Sequence, residues 1–324
     1  MSITLSTINT PAKACMVNRK YPLVIIVLLL CLVCSMGLKA QQDPSQVVEN
    51  KIEAWLQCIN RLHRENINRQ KQDSLWLVNA QMMAYLKKVC ARQPGTLQDE
   101  VRPTDSAGNP LSGINILTSQ DNRLRIYCWD TRTGAYQNHF NAIAQVAAKG
   151  GNTRMLVLND IAGGDANDDR AGTLYSDVCR VRTLLGKTYY LVMDHKVYNN
   201  RGGGHAIHAY TIDKGSLIPA AIFKTNGKLQ HTIAVEHDMA PYGEWAEDDA
   251  NIKLSDDSKT MYVPLLKKDS PAPRRDSLEV KPVTAAAGTA DNANAGTGSR
   301  DYYIYRFDGF HYVYDKEANK SLKE

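Results

Sequence analysis

The sequence of 324 residues predicts an α+β protein: an N-terminal helical pair packed on an antiparallel β meander that forms a barrel, a sandwich or a propeller-like sheet. Apolar residues recur three and four apart between residues 44 and 92, the spacing of one helical face. From residue 112 onward, alternating runs and turn signals follow one another too closely for crossover connections, which favours antiparallel strands.

Composition divides the chain into five segments. We expect a signal peptide at 1–40, a helical lead-in at 41–95, an antiparallel β domain at 96–266, a disordered loop insertion at 267–300, and a closing β-hairpin at 301–324 that belongs to the same β domain. The insertion is predicted to be disordered because residues 284–300 are nearly all Ala, Gly, Thr, Asn and Asp, which bury too little apolar surface to offset the entropy of ordering.

The N-terminus has the layout of a secretory signal. A basic stretch at 16–20 precedes an apolar run at 23–37, and Ala40 comes before a polar sequence, so we expect cleavage after Ala40. The run is shorter than the roughly 20 residues of a spanning helix. An uncleaved anchor and a lipoprotein acylated at Cys34 are the alternatives, and translation can start at Met16. The predicted location is periplasmic or secreted, with no membrane span after cleavage.

Removing residues 1–40 changes the charge balance. That segment holds four basic side chains and no acidic one, so the remaining chain carries 35 basic and 34 acidic residues. A nearly neutral chain has no electrostatic footprint for nucleic acid. No phosphate-binding loop, zinc-protease helix or hydrolase nucleophile elbow occurs, so we predict no cofactor.

The helical lead-in contains two amphipathic stretches. One carries an apolar stripe from Val48 to Leu62, and the second is predicted to begin at the Asp73-Ser74 cap and to end at Pro94-Gly95. We expect both stripes to pack on the β domain, with a partner-binding helix pair as the alternative.

Turn signals define the strands. A strand from Tyr175 to Leu185 is followed by Gly186-Lys187, and Asn226-Gly227 is the strongest hairpin signal in the chain. In the closing hairpin, a two-residue turn at Asp308-Gly309 would set Phe307 opposite Phe310, Tyr305 opposite Tyr312 and Tyr303 opposite Tyr314.

Four cysteines follow the signal segment. Helix geometry argues against a Cys58–Cys90 disulfide, because the two residues lie at different levels of the predicted helical hairpin. A bridge between Cys128 and Cys179 is compatible with their predicted strands, whereas buried free thiols are the favoured interpretation.

Three groups of residues are candidates for binding or chemistry. The row of Tyr303, Tyr305, Tyr312 and Tyr314 either packs in the core, which we favour, or stacks on a glycan. Asp165, Asn167 and Asp169 resemble the start of a calcium loop but lack its glycine and its terminal glutamate. Near the ends of the predicted strands lie several histidines and acids that could form a hydrolytic or metal site only if the fold brings them together: Asp194, His195, His205, His208, His237 and Asp238.

On a strand, His205 and His208 point to opposite faces, which argues against a shared metal ion. We therefore assign no catalytic residue from the sequence.

Three stretches resemble exported proteins of Gram-negative bacteria that have no assigned activity. They are residues 124–134 (LRIYCWDTRTG), 186–192 (GKTYYLV) and 305–309 (YRFDG). The resemblance implies an amphipathic helical lead-in, a β meander over residues 44–315 and an aromatic closing hairpin, and it makes 267–300 an insertion.

Taken together, these features predict an exported cell-envelope or secreted protein that binds a protein partner or a glycan without catalysis. The alternative is a hydrolase that acts on envelope or extracellular polymers.

Overall fold

The computed structural model of the protein describes residues 44–65, 69–104, 107–134, 139–160, 172–199, 202–238, 251–264 and 302–319. The predicted signal at 1–40, the calcium-like loop at 165–169 and the whole insertion at 267–300 lie outside these residues.

Two helices begin the described chain, α1 (Pro44–Arg64) and α2 (Arg69–Arg92). Their apolar stripes are buried, with Ile52 and Leu86 fully inaccessible to solvent. Both stripes share one hydrophobic cluster with Tyr127 and Trp129 of the β region, which confirms that the helical faces pack on the sheet. Helix α2 begins four residues before the predicted cap at Asp73, since the polar stretch ahead of Asp73 continues the helix.

The first sheet lies directly under the helices. This helix-side sheet has the strand order β1 (Ile114–Thr118), β2 (Leu124–Asp130), β3 (Phe140–Ala147) and β4 (Thr153–Asn159), all antiparallel. Alternation along β2 places Tyr127 and Trp129 against the helices, whereas Ile126 and Cys128 face away from them.

The second, middle sheet packs on that other face. It contains β5 (Thr173–Arg182), β6 (Thr188–Asn199), β7 (Gly202–Asp213), β8 (Ser216–Pro219) and β11 (Thr232–Asp238) in the order β11-β7-β6-β5, with β8 also paired to β7. Tyr190 and Val192 of β6 share a cluster with Ile126 and Cys128. The glycine-rich segment before His205 belongs to strand β7, because Gly203 and Gly204 pair with β6 on one side and with β11 on the other.

The third, outer sheet covers the opposite face of the middle sheet. It consists of β9 (Phe223–Thr225), β10 (Lys228–Gln230), β12 (Lys253–Leu254), β13 (Thr260–Pro264), β14 (Tyr302–Phe307) and β15 (Tyr312–Tyr314) in the order β10-β9-β15-β14-β13-β12. Leu191 and Ile207 of the middle sheet share a cluster with Met261 and Tyr312. The β-rich body is thus a stack of open sheets, and neither a barrel nor a propeller is supported.

The chain changes sheet twice around the Asn226-Gly227 hairpin. The turn forms as predicted between β9 and β10, with both residues at positive φ. The two strands predicted to flank it each break in two: β8 and β11 belong to the middle sheet, β9 and β10 to the outer sheet. Strand β9 pairs in parallel with β15, so the meander is not entirely antiparallel.

The register of the closing hairpin differs from the prediction. Phe307 lies opposite Tyr312 and Tyr305 opposite Tyr314, across a four-residue connection at 308–311. A carboxylate oxygen of Asp308 accepts hydrogen bonds from the Phe310 and His311 amides, and these bonds stabilise the longer turn. Because the register moves by two residues, each aromatic side chain keeps its predicted face.

Hairpin turns gather at one end of the stack, here called the turn end. The Leu184 amide donates to the Gly309 carbonyl and joins turns of the middle and outer sheets. The Arg180 amide donates to the Gln120 side chain and links the middle sheet to a turn of the helix-side sheet. The turns of this end span 119–123, 148–152, 183–187, 214–215, 255–259 and 308–311.

Candidate functional site

The structure separates the predicted histidines as the strand period requires. His208 lies on the face of the middle sheet that carries Val192, turned toward the helix-side sheet. His205 lies opposite His195 on the other face. The two groups cannot act on one ligand, because the backbone of the sheet lies between them.

A row of three polar side chains crosses strands β6, β7 and β11, and we call it the Asp-His-Thr row. His208 Nε2 lies 2.7 Å from Asp194 Oδ2, and His208 Nδ1 lies 2.9 Å from Thr232 Oγ1. The carboxylate only accepts hydrogen bonds, so Nε2 donates to Asp194, and in the neutral imidazole Nδ1 accepts from the Thr232 hydroxyl. The sheet register creates this row. Thr232 lies opposite His208 on one side, and on the other side Val192 lies opposite His208, with Asp194 two residues further along β6 on the same face.

The row combines a hydroxyl, an imidazole and a buried carboxylate. The side chain of Asp194 is 3% exposed and that of His208 is 23% exposed. Asp194 Oδ1 is buried and receives no hydrogen bond in the described part of the chain. A nucleophile, a general base and an orienting acid stand in this order in many hydrolases. The chemistry is therefore available, but its carboxylate end is almost closed to solvent.

His195 and His205 form a stacked pair on the opposite face. Their ring centroids lie 4.2 Å apart, and His205 is 7% exposed. Within the described ranges, no group of three His, Cys, Asp or Glu side chains could hold a metal ion. His237 and Asp238 occupy the end of β11, opposite Gly203 and Gly202.

The tyrosine row runs from the core toward the surface. Tyr312 is fully buried, and its hydroxyl donates to the Ser258 carbonyl, so its ring is not presented to a ligand. Tyr305 and Tyr314 are half-buried, and Tyr303 is 40% exposed. Of these four rings, Tyr303 alone exposes more than a third of its surface, so the row forms mainly core packing at its Tyr312 end.

A more prominent surface lies at the turn end and consists of Leu184, Leu185 and Phe310, here called the apolar tip. Leu184 is 76% exposed, Leu185 is 85% exposed and Phe310 is 39% exposed. Singly exposed leucines are common on protein surfaces, whereas a contiguous apolar group marks an interaction site.

The turn that carries the two leucines is held firmly. The Thr183 amide donates to the Lys187 carbonyl at 2.8 Å, and the Lys187 amide donates to Thr183 Oγ1 at 2.9 Å. The second hairpin abuts it so closely that a Cβ on Gly309 would lie 2.6 Å from Leu184 Cδ1. Gly309 has φ +99°, a conformation that favours glycine, so both its backbone and its small size serve this contact.

Basic side chains flank the apolar tip. Arg182 and Lys187 are exposed on either side of the leucines, and Lys224 is exposed on β9. Asp308 lies in the adjoining turn, and its carboxylate is engaged by two amides of that turn. Partial burial raises the pKa of Asp308, but these amides with His311 and Lys224 hold it below its usual value overall.

A cavity of about 410 Å³ opens elsewhere, beside the connection that follows α2. Its wall includes Arg125, whose guanidinium is buried and donates to the Thr96 and Asp99 carbonyls and to Thr118 Oγ1. These bonds tie β2 to the segment after α2, so we assign the arginine a structural role.

The cysteines of the described chain are free thiols; Cys90 and Cys128 are buried, whereas Cys58 and Cys179 are partly exposed. Cys128 lies between the helix-side sheet and the middle sheet, and Cys179 packs with the outer-sheet cluster, which keeps this pair apart. Burial raises the pKa of both thiols to about 12, and the nearby Asp177 carboxylate adds to the shift at Cys179.

Sequence reasoning missed the apolar tip because the predicted strand extended to Leu185. The available signal was a pair of leucines directly before Gly186, where a turn normally carries polar residues. Strand β5 ends at Arg182, so both leucines belong to the turn.

Comparison of the chain with protein-family models, with curated proteins and with solved structures finds no match. Among the described residues, no helix has the length and apolar character needed to cross a bilayer.

Proposed function

We propose that this protein is an exported, non-catalytic binding protein of the cell envelope, which attaches to its partner through the apolar tip. The observation that carries the proposal is the pair of adjacent leucines, 76% and 85% exposed, on a hydrogen-bonded turn. Exposed apolar surface on an ordered element is costly in water and becomes favourable when a partner covers it.

The remaining features agree with binding in an exported protein. The N-terminal sequence has the pattern of an export signal, which supports a periplasmic or secreted location. The apolar faces of the helices and the Tyr312 end of the tyrosine row pack within the hydrophobic core, so they are not available to a partner. Glycan stacking therefore has less support than attachment through the tip, because Tyr312 is buried and Tyr303 offers a single exposed ring.

The test is sedimentation of the exported protein with isolated Gram-negative envelopes. The double variant L184S/L185S removes the tip, and the double variant I218S/L229S is its matched control, because Ile218 and Leu229 are also exposed, at 45% and 47%. We expect the tip variant to remain in the supernatant while the control sediments like the wild type. Equal sedimentation of all three proteins would contradict the proposal.

Hydrolysis of an envelope or extracellular polymer is the second candidate function, and the Asp-His-Thr row favours it. In such a reaction Thr232 Oγ1 would attack an acyl carbon, and its proton would move to His208 Nδ1 while Asp194 stabilises the imidazolium. The imidazolium would return that proton to the leaving group as its bond to the acyl carbon breaks, and water activated by His208 would then hydrolyse the acyl-threonine ester. It ranks second because Asp194 is 3% exposed and the row faces another sheet.

A fluorophosphonate probe tests this candidate, because it phosphonylates a hydroxyl that a neighbouring base has activated. The candidate predicts a modified Thr232 peptide by mass spectrometry and its disappearance in His208→Gln. Absence of the modified peptide from the folded wild-type protein would exclude Thr232 as a nucleophile of this kind.

A further inference from the structure

We infer that the partner of the apolar tip is an anionic phospholipid surface, into which Leu184, Leu185 and Phe310 insert at headgroup depth. This inference rests on the proposed attachment through the tip and names what the tip binds. It requires apolar side chains that project from an ordered turn and a basic flank to meet the lipid headgroups.

The apolar part of the argument is the exposure of the two leucines. They lie at the apex of the β5–β6 hairpin, and at 76% and 85% exposure they project from the surface instead of lining a groove. A projecting pair of aliphatic side chains enters the boundary between headgroups and acyl chains without deforming the protein. Phe310 of the adjoining hairpin widens the inserted surface.

Preorganisation makes this insertion efficient. The Leu184 amide donates to the Gly309 carbonyl at 3.0 Å, so the two hairpins present their apolar residues together. Insertion then orders few additional degrees of freedom. The tip therefore avoids the cost of ordering that a flexible loop has on binding.

The charge around the tip complements an anionic surface. Arg182 and Lys187 are exposed and flank the leucines in sequence, and Lys187 Nζ lies 5.0 Å from the centre of the buried Tyr189 ring. Asp308 is held by amides of its turn, and Asp257 at the neighbouring turn lies 3.8 Å from Lys259 Nζ. Asp308 and Asp257 are therefore locally compensated, whereas Arg182 and Lys187 lie beside the leucines.

A protein partner fits these observations less well. Hot spots of protein interfaces are enriched in Trp, Tyr and Arg, whereas leucine is under-represented, and they lie at the centre of a broad complementary surface. The tip is small, its two most exposed residues are the aliphatic Leu184 and Leu185, and charged residues border it. A lipid surface needs only apolar insertion and basic contacts.

Vesicle flotation tests the inference with the exported protein, on vesicles of phosphatidylethanolamine with phosphatidylglycerol and on vesicles of phosphatidylcholine. We expect binding to the anionic vesicles, and about a hundredfold weaker partitioning of L184S/L185S if each leucine contributes about tenfold. Removing one charge in Arg182→Gln or Lys187→Gln should weaken partitioning about fivefold. The control I218S/L229S should partition like the wild type. The N-terminal residues are the same in all variants, so they cannot cause a difference in partitioning between them.

A second readout protects the test against a variant that folds poorly. In Leu185→Trp, the added indole should shift its emission to the blue on anionic vesicles and be quenched by brominated acyl chains. Equal flotation of the wild type and the tip variant, or an indole that remains in water, would overturn the inference.

The two proposals fail in different ways. In one outcome, the protein binds envelopes through the tip, protease treatment of the envelopes abolishes this binding, and the protein does not bind vesicles. That outcome would identify a protein partner and refute the lipid inference alone. Absence of tip-dependent binding to both envelopes and vesicles would refute the proposed function as well.

Discussion

The contact between the helices and the sheet depends on Asn79, a residue of α2 that is 1% exposed. Its Oδ1 accepts from Trp129 Nε1 at 2.9 Å, and its Nδ2 donates to the Thr131 carbonyl at 3.0 Å and to the Leu75 carbonyl at 2.8 Å. In Asn79→Leu, the indole N–H and the Thr131 carbonyl lose a partner within the core, although the number and branching of the side-chain heavy atoms are kept.

The expected cost follows from these two groups. A buried donor or acceptor left without a partner costs about 1–3 kcal/mol. The greater apolar burial of leucine offsets part of this cost, so we expect Asn79→Leu to lower the free energy of unfolding by about 3 kcal/mol.

Urea unfolding followed by far-ultraviolet circular dichroism measures this change. Asn50→Leu is the matched control, because Asn50 is an exposed asparagine of α1 and its replacement should change the free energy by less than about 0.5 kcal/mol. With Trp129→Phe as partner, the double variant should show a coupling energy of about 1 kcal/mol. A loss below about 1 kcal/mol for Asn79→Leu, or additive effects in the cycle, would refute the reasoning.

Three further predictions concern the thiols, two glycines and one carboxylate. In the described chain Cys58 should react first with a thiol reagent at pH 8, because burial raises the pKa of Cys128 and Cys179 to about 12; peptide mapping of the labelled protein checks the order. Gly215→Ala should cost about 1 kcal/mol more than Gly227→Ala in urea unfolding: both glycines have positive φ, but at Gly215 a Cβ would lie 2.9 Å from the Ala148 Cβ, whereas at Gly227 it meets open space. The pKa of Asp308 is lowered on folding, so its ionised form contributes stability above the ordinary aspartate pKa and loses it as the pH falls through the folded value. Asp308→Asn should therefore be less stable than the wild type at pH 7, and the difference should shrink in strongly acidic urea titrations; a difference independent of pH would contradict this assignment.

Much of the local structure follows from the sequence because it depends on short-range periodicity. The helical stripes through Ile52 and Leu86 and the alternation of Tyr127 and Cys128 were predictable, since the backbone alone sets periods of 3.6 and two residues. The Asn226-Gly227 turn was predictable for a similar reason, because two successive positive φ values favour this dipeptide.

Strand register was less predictable than strand faces. In the closing hairpin, Phe307 pairs with Tyr312, two residues beyond the predicted Phe310, and both pairings leave the aromatic residues on the same face. Side-chain bonds from Asp308 to the turn amides decide between the two, and alternation carries no information about them.

The candidate sites show the same division. The period of a strand placed His205 and His208 on opposite faces, but the neighbours of His208 come from β6 and β11, which the sequence does not align. The exposure of Leu184 and Leu185 also could not be predicted from the sequence, since a leucine next to a turn glycine can end a buried strand or form the apex of a hairpin.

By itself, the sequence determined the α+β class, the faces of its helices and strands, and the pattern that predicts export. These properties depend on residues close together along the chain. The tertiary structure alone decided the stacking of three sheets, the Asp-His-Thr row and the exposed tip, because each depends on which distant segments meet. The row needs the register of three strands, and the tip exists because Gly309 of another hairpin holds Leu184 at the surface.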